Sequence, residues 1–470
     1  MAFVSKKDEA YREYALNASP LKVLLSSCAP LALYQALQSV FKVVDAMMAS
    51  HIGSDAASAV ACLNQITLMI TALGTGLATG GTIKISEAYG RGDYELVRKQ
   101  VSAVYTLAVV IGLAIMGVLI PFAVPFLKLL NTDPELIKTG VGYFRVEIMT
   151  VVVTFFNTVY LAIERSRGHA KKILVLNLII ILVKLALSAF FVYVLGKGVT
   201  MIAVATLIGQ LGIMGYAFVT MPRDDGAFRF SFRDIDLRGK IILPILNLAY
   251  PVSAEKVLFA AGKVTVNSMS GEYGPTTVGA LGISNNIGGL TTSWHMGFTN
   301  GASPLISQNR GAGKYRRTLQ IFYRLLVINI LIGLAGIILV SLTLPYLANF
   351  FAQSKNQFDP AFRDTIVSIH QWEMLGYITL GINSATLALL LGYGYTKLTL
   401  LLNVARVFAF RVPVLWYFQN YTNVGVEAVG MTMMISNICV GLSAVAVAIP
   451  VVIKILKKAK AEEDTALAQK

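Results

Sequence analysis

The chain has 470 residues, 56% of them hydrophobic and only 14% charged, and its formal net charge is +15. So apolar a composition excludes an ordinary soluble domain, and with it a soluble enzyme. The positive charge does not indicate a nucleic-acid partner, because most bases lie in the N-terminus, the C-terminal tail and alternate loops between long apolar stretches.

Those apolar stretches are long enough to cross the ~30 Å hydrocarbon layer of a membrane as helices. In chain order they cover residues 21–49, 56–84, 100–126, 136–163, 171–195, 199–221, 241–269, 277–306, 319–349, 362–391, 396–418 and 425–454. The first 19 residues are polar and carry acids as well as bases, so we expect no cleavable signal peptide. The sequence therefore predicts an all-α polytopic membrane protein with twelve transmembrane helices.

The distribution of bases predicts how the helices are oriented. Lys and Arg concentrate in the N-terminus, the even-numbered loops and the C-terminal tail, whereas the odd-numbered loops hold five: Lys128, Lys138, Lys197, Lys355 and Arg363. By the positive-inside rule, both termini are cytoplasmic. We expect a multi-pass protein of the cell membrane whose surroundings are the lipid bilayer.

An internal duplication is the most informative feature. A shift of 221 places aligns residues 30–94 with residues 251–315 at 17 identities in 65 positions. Duplicated, strongly apolar chains are typical of secondary transporters, in which the substrate site lies between two halves. Because each half holds six spans, we expect two lobes related by a pseudo-two-fold axis along the membrane normal. The sequence predicts a cytoplasmic N-terminus (1–19), an N-lobe (20–221), a cytoplasmic linker (222–240), a C-lobe (241–458) and a cytoplasmic tail (459–470).

Several short motifs, in order along both halves, carry a family resemblance. They are Ser39-Val-Phe-Lys-Val-Val-Asp45, Gly76-Leu-Ala-Thr-Gly80, Ala88-Tyr-Gly-Arg-Gly-Asp93, Gly297-Phe-Thr-Asn-Gly301, Asn309-Arg-Gly-Ala-Gly313, Arg411-Val-Pro413 and Gly425-Val-Glu-Ala-Val-Gly-Met-Thr432. In this set the chain resembles the multidrug and toxic compound extrusion (MATE) transporters over almost its full length. The resemblance implies two six-helix lobes and drug efflux coupled to inward proton or sodium flow.

Polar groups within the spans are the candidates for chemistry, because a charge at that depth is costly and so usually functional. On the first span, Gln35, Gln38, Lys42 and Asp45 follow steps of three, four and three residues and share one helical face. The resemblance assigns Asp45 to cation coupling. The alternative is a static Lys42–Asp45 ion pair that neutralises two buried charges.

The seventh span carries Glu255, Lys256 and Lys263. The resemblance makes Glu255 a second candidate for cation coupling, and an internal Glu255–Lys256 pair is the alternative. Lys263 is the repeat partner of Lys42, but Val266 stands where Asp45 stands in the first half. Either another helix supplies an anion to Lys263, or this lysine faces water in the cavity.

The remaining candidates make the membrane region richer in bases than in acids. The family's first-half fifth helix commonly reads Asn-x-x-Leu-Asp, whereas this chain has Lys184-Leu-Ala-Leu-Ser188, so an acid is missing and a base is present. Arg411 on the eleventh span could reach the membrane interface. Glu373 on the tenth span is a possible acid, with a position at the outer edge as the alternative. The predicted cavity residues are Gln35, Gln38, Lys42, Asn64, Asn177, Lys184, Lys256, Lys263, Asn285 and Arg406.

Two functions are compatible with these residues. One is a secondary active multidrug efflux antiporter that exports amphipathic, often cationic compounds in exchange for protons or sodium ions by alternating access. The other is a related exporter or lipid flippase for an anionic or zwitterionic substrate, and the sign of the cavity separates the two. The sequence has no complete P-loop, so we expect no cofactor, no metal site and an ion gradient as the energy source. We expect a small-molecule substrate, a monomer, and a chain that is not an enzyme.

Overall fold

A computed structural model of the chain describes residues 5–50, 54–129, 134–196, 199–224, 226–354 and 357–468. For residues 42–50, 54–69 and a few positions at the ends of helices and strands it describes the backbone alone. The N-terminal side chains of the first span are therefore described as far as Phe41.

Sixteen α-helices account for most of the described residues. They are α1 (Lys6–Asn17), α2 (Pro20–Ser50), α3 (Ser54–Arg91), α4 (Tyr94–Leu119), α5 (Ala123–Leu129), α6 (Pro134–Ser166), α7 (Ala170–Ala189), α8 (Val199–Thr220), α9 (Gly239–Ser270), α10 (Pro275–Gly311), α11 (Tyr315–Phe351), α12 (Pro360–Glu373), α13 (Tyr377–Gly392), α14 (Thr396–Ala405), α15 (Val412–Tyr421) and α16 (Glu427–Ala468). π-Helical turns at Phe190–Val194 and Arg406–Arg411 extend α7 and join α14 to α15. Two strands of two residues, β1 (Gln353–Ser354) and β2 (Gln357–Phe358), pair antiparallel after α11.

These helices confirm the all-α membrane fold. Ten of the described helical segments are long and apolar enough to span a membrane, and the helix pairs α12–α13 and α14–α15 each count as one segment. The other two predicted spans correspond to α3 and α10, which occupy equivalent places in the duplication and are rich in Gly, Ser, Thr and Asn. The sequence did not predict the polar helix α1, the short α5 or the small hairpin.

The chain divides into two compact units, which differ slightly from a division at the linker. One unit contains residues 1–17 and 40–257, and the other contains residues 18–39 and 258–470. Helix α2 thus begins in the second unit, and helix α9 begins in the first. The lobe boundaries drawn from the repeat stay a prediction.

Glycines explain how the beginning of α9 packs in the first unit. A Cβ atom on Gly80 would lie 2.6 Å from the carbonyl oxygen of Ile245 and 3.0 Å from the amide nitrogen of Ala249. A Cβ on Gly76 would collide with Ser253 of the same helix. Only residues without a side chain permit two helix backbones to approach this closely, so these glycines fix the crossing of α3 and α9.

The second unit repeats this crossing at the positions that the duplication pairs. A Cβ on Gly301 would lie 2.7 Å from Sγ of Cys28, and a Cβ on Gly297 would collide with Ala32. The shift of 221 places aligns Gly80 with Gly301, and it aligns Cys28 with Ala249. Close helix packing at glycines is therefore present twice, once in each unit.

The loops after these helices also repeat. Gly92, which follows α3, has φ +84°, and Gly313, which follows α10, has φ +78°. Residues other than glycine rarely adopt this left-handed backbone conformation, which commonly ends a helix. The sequence pairing of these two glycines reflects the same turn in both halves.

The N-terminal helix α1 is docked on the first unit through a buried ion pair. Nη2 of Arg167 donates to Oδ1 of Asp8 at 3.0 Å, and Arg167 also contacts Asp224 and lies 3.8 Å from Glu164. Burial alone would lower the pKa of Arg167, but these three carboxylates together raise the pKa above its ordinary value. Arg167 therefore stays charged and joins α1, the end of α6 and the beginning of the linker.

Candidate functional site

A buried chain of hydrogen bonds links α10 of the second unit to α12 and α13, which together form the tenth span. Oγ of Ser284 on α10 donates to Oε2 of Glu373 at 2.5 Å and lies 2.8 Å from Nδ1 of His370 on α12. Nε2 of His370 lies 2.9 Å from the hydroxyl oxygen of Tyr377 at the start of α13. Each of these four side chains can give or accept a hydrogen bond, and the imidazole and carboxyl groups can also bind a proton.

The sequence brings these groups together because of their spacing. His370, Glu373 and Tyr377 are separated by three and four residues, so they lie on one side of the tenth span. That side packs against α10, where the side chain of Ser284 is fully buried. Gly288, one turn after Ser284, lies beside this chain, since a Cβ there would lie 3.2 Å from the hydroxyl oxygen of Tyr377. Glu373 is 9% exposed, so its side chain is buried within the unit.

Two arginines lie in the same unit and share one neutral acceptor. Nη2 and Nε of Arg406 donate to Oδ1 of Asn437 at 2.7 and 3.2 Å, and Nη2 of Arg411 lies 3.4 Å from the same oxygen. Nε of Arg411 donates to Oγ of Ser436 at 3.2 Å. The π-helical turn from residue 406 to 411 places both arginines on the side that faces α16.

Arg411 corrects one expectation from the sequence. Its place near the end of the eleventh span suggested a side chain that reaches the membrane interface. In the structure Arg411 is 3% exposed and points inward to α16. The inward direction follows from the π-helical turn, which a sequence pattern with a period of 3.6 residues does not anticipate.

An aromatic ring lies beside Arg406. The guanidinium carbon of Arg406 lies 5.7 Å from the centre of the Phe259 ring, and Nζ of Lys263 lies 6.0 Å from the same centre. Phe259 also brings α9 to this cluster, which we call the basic cluster: Phe259, Lys263, Arg406, Arg411 and Asn437. Lys263 itself is exposed, and Val266, at the repeat position of Asp45, belongs to the apolar core.

Glu373 is the acid that interacts electrostatically with both arginines among the described residues. Two guanidinium groups therefore accompany one carboxyl group. His370, beside that carboxyl group, adds no negative charge. In this cluster bases outnumber acids, and the basic character of the whole membrane region stays a prediction.

In the first unit, the seventh span carries the predicted acid and its neighbour. Oε1 of Glu255 accepts a hydrogen bond from Nζ of Lys256 at 3.1 Å. Glu255 is 5% exposed, whereas the side chain of Lys256 is 43% exposed. The Glu255–Lys256 ion pair is therefore present, with a buried carboxylate and an exposed ammonium group. A coupling role for Glu255 stays a prediction.

Lys184 on the fifth span interacts electrostatically with Glu147 on α6. The sequence analysis missed this partner, although an acid in the middle of an apolar span is a signal that could have identified it. The fifth span thus lacks the acid that the family commonly has near Lys184, and Glu147 on α6 supplies an acid instead.

The other predicted cavity residues are placed as follows. Gln35 and Gln38 are half-buried on α2. The amide nitrogens of Asn177 and Asn285 each donate, at 2.8 Å, to a carbonyl one turn earlier in their own helix. The side chains of Lys42, Asp45 and Asn64 lie outside the described residues.

The fold and these groups define a class of protein. A duplicated bundle of membrane-spanning helices with carboxyl, imidazole and guanidinium groups buried at depth is a membrane transporter. A sequence model of the MatE family matches residues 30–190 and 251–417, and therefore both halves of the duplication. The chain belongs to the MatE family.

Relatives with assigned names cover nearly the whole chain. The chain is 23% identical over 412 residues to the probable multidrug resistance protein YoeA of Bacillus subtilis, a match that covers 85% of this chain and 87% of that protein. It is 22% identical over 421 residues to the FAD transporter of Shewanella oneidensis, covering 86% of this chain and 88% of that one.

Solved structures have the same fold. A multidrug resistance MATE family transporter in an outward-facing conformation matches with a TM-score of 0.90 at 20% identity, covering 97% of this chain and 99% of that chain. A transporter from Pyrococcus furiosus, for which a binding pocket of reverse polarity suggests a different function, matches with a TM-score of 0.89 at 20% identity, covering 96% and 99%. These matches confirm the all-α architecture of twelve transmembrane helices in two lobes that the apolar stretches and the duplication predicted.

Proposed function

We propose that this chain is a secondary active exporter that carries small amphipathic molecules out of the cell in exchange for protons or sodium ions, by alternating access. Membership of the MatE family and the names of its multidrug resistance relatives support export of drug-like compounds. The positive-inside rule supports a location in the cell membrane with both termini in the cytoplasm.

The observation that carries the coupling proposal is the hydrogen-bonded chain Ser284–Glu373–His370–Tyr377 in the second unit. A carboxyl group in an apolar surrounding changes its charge when the access of water changes. Its hydrogen-bond partners can supply a path for the proton, because hydroxyl and imidazole groups both donate and accept. Glu255 and Asp45 stay proposed coupling residues, and Glu373 joins them.

The test is coupled flux in proteoliposomes with the purified full chain. Wild-type protein should drive efflux of ethidium when an inward proton or sodium gradient is imposed. Glu373→Gln should reduce the gradient-driven part while leaving ethidium binding intact, because the amide keeps the size but loses the titratable proton. Glu272→Gln is the matched control, since Glu272 is exposed in the loop before α10. Equal coupling in wild type and Glu373→Gln would remove Glu373 from the mechanism.

A second candidate, export of an anionic or zwitterionic compound, has specific support. The positive charges of the half-buried Arg406 and the buried Arg411 oppose entry of a cation into this part of the second unit, because a juxtaposed like charge is costly in a low-dielectric interior. The relative from Shewanella oneidensis is named an FAD transporter, and FAD carries phosphates. Parallel flux assays with ethidium and with an anionic dye distinguish the two candidates.

A further inference from the structure

We propose that Arg406 and Arg411 form a subsite for an anionic group of the transported molecule, and that Phe259 contacts an aromatic or conjugated part of the same molecule. This inference rests on the proposed export function and names the part of the substrate that one unit recognises. The shared chemistry is a carboxylate or phosphate attached to an apolar body.

The first argument is the balance of charge. The two guanidinium groups both reach Oδ1 of Asn437, so their nearest nitrogens lie no farther apart than the sum of the two hydrogen-bond distances, 2.7 and 3.4 Å. A neutral amide oxygen cannot neutralise either charge, and Glu373 supplies one negative charge for the two. Buried charges in proteins are normally paired, so an anion from the substrate would complete this cluster.

The second argument is the set of donors left over. A guanidinium group has five N–H donors, and the hydrogen bonds of Arg406 and Arg411 use the Nε and Nη2 atoms. Among the described residues, the Nη1 atoms of the two arginines make no hydrogen bond. Nδ2 of the fully buried Asn437 is also without a partner in that part of the chain. Donors, and not acceptors, are in excess here, which is the requirement for binding an anion.

The third argument is the shape of the surroundings. Arg406 is half-buried and not closed off, and its guanidinium lies over the ring of Phe259. A planar carboxylate can accept two parallel hydrogen bonds from one guanidinium. An aromatic body attached to that carboxylate would lie beside Phe259, where aromatic pairs gain from contact. Lys263, exposed beside the same ring, adds positive charge on the approach to the subsite.

The test measures binding of fluorescein, an aromatic carboxylate, to the purified full chain by fluorescence anisotropy. Loss of a charge-assisted hydrogen bond should weaken fluorescein binding about ten- to a hundredfold in Arg406→Gln. Arg406→Lys keeps the charge but loses the fork of donors, and should bind with intermediate affinity. Lys397→Gln is the matched control, because Lys397 is an exposed base on the same span and its removal should change nothing.

Ethidium shows whether the variants are intact. We expect Arg406→Gln to bind ethidium as well as wild type does, or better, because a repelling charge has been removed. Equal affinity of wild type and Arg406→Gln for fluorescein, in protein that still binds ethidium, would overturn the subsite. If Arg406→Gln fails to fold, the comparison of Arg406→Lys with wild type decides in the same way.

Two further arms identify the source of the anion and separate this inference from the proposed function. Competition of fluorescein by benzoate indicates a soluble aromatic anion, and competition by phosphatidylglycerol alone indicates a lipid headgroup. Both outcomes support an anionic subsite. Wild-type protein that binds fluorescein through Arg406 but shows no gradient-driven flux would refute the export function and leave the subsite. Coupled export of ethidium by the wild type, with unchanged fluorescein binding in Arg406→Gln, would support the export function and refute the subsite.

Discussion

Replacement of Gly80 by alanine tests the close crossing of α3 and α9. The added Cβ would lie 2.6 Å from the carbonyl oxygen of Ile245 and 3.0 Å from the amide nitrogen of Ala249. Both are backbone atoms, so a rotamer change cannot relieve the overlap and one helix must shift. The variant therefore measures how much the packing of these two backbones contributes to stability.

The expected loss follows from two opposing effects. Overpacking of a tight interior costs about 1–3 kcal/mol, and alanine gains roughly 0.5–1 kcal/mol over glycine in a helix. We expect a net loss of about 1–2 kcal/mol. With a shift of roughly 2–4 °C per kcal/mol for domains of 150–250 residues, the midpoint should fall by about 2–8 °C.

The assay is thermal unfolding of the purified protein in detergent. Gly301→Ala, at the repeat position in the second unit, should also lower the midpoint, although part of its overlap is with the side chain of Cys28. Gly215→Ala is the matched control, because nothing lies within 4 Å of the added carbon, and it should raise the midpoint slightly. A midpoint of Gly80→Ala at or above that of wild type, with the control as expected, would refute the role of this crossing.

Three further predictions concern charged residues. Asp45→Asn should abolish gradient-driven efflux and leave expression and substrate binding largely intact; unchanged pumping would move the coupling role to other acids. Glu147→Gln and Lys184→Gln should each lower the unfolding midpoint. The double variant should lose less free energy of unfolding than the sum of the two single losses, by about 0.5–3 kcal/mol. Strictly additive losses would show that the pair does not interact. Asp8→Ala should expose the N-terminal helix to protease. The loss in free energy of unfolding should be below the ~3–5 kcal/mol of breaking a buried ion pair, because Arg167 still contacts two other carboxylates. Cleavage at the wild-type rate would contradict this docking.

The sequence predicted the parts of the fold that depend on local patterns and on the duplication. Hydropathy identified the spans, because a membrane helix must satisfy its backbone internally and cover itself with apolar side chains. The duplication identified Gly76 and Gly80 together with Gly297 and Gly301, and the structure gives both pairs the same packing role.

The charged contacts were harder to predict, because their partners come from distant parts of the chain. Asp8 and Arg167 are 159 residues apart, and nothing local to either residue specifies the other. Glu147 and Lys184 likewise lie on different helices. The inward direction of Arg411 depends on a π-helical turn, which leaves no periodic signal in the sequence.

The polar chain of the second unit was partly within reach of the sequence. Glu373 was a candidate, and the spacing of His370 and Tyr377 places them on its side of the helix. Ser284 was out of reach, since its contact with Glu373 depends on how α10 packs against α12. Spacing within one helix predicts a shared face, but only packing decides which face meets which neighbour.

Uphill transport by the wild-type protein tests the central claim most directly. Proteoliposomes should hold the same concentration of ethidium or fluorescein on both sides before a proton or sodium gradient is imposed. We predict net movement of at least one dye against its own developing gradient, and collapse of that movement when an ionophore dissipates the ion gradient. Equal dye concentrations on both sides throughout, in vesicles whose ion gradient persists, would contradict coupled export.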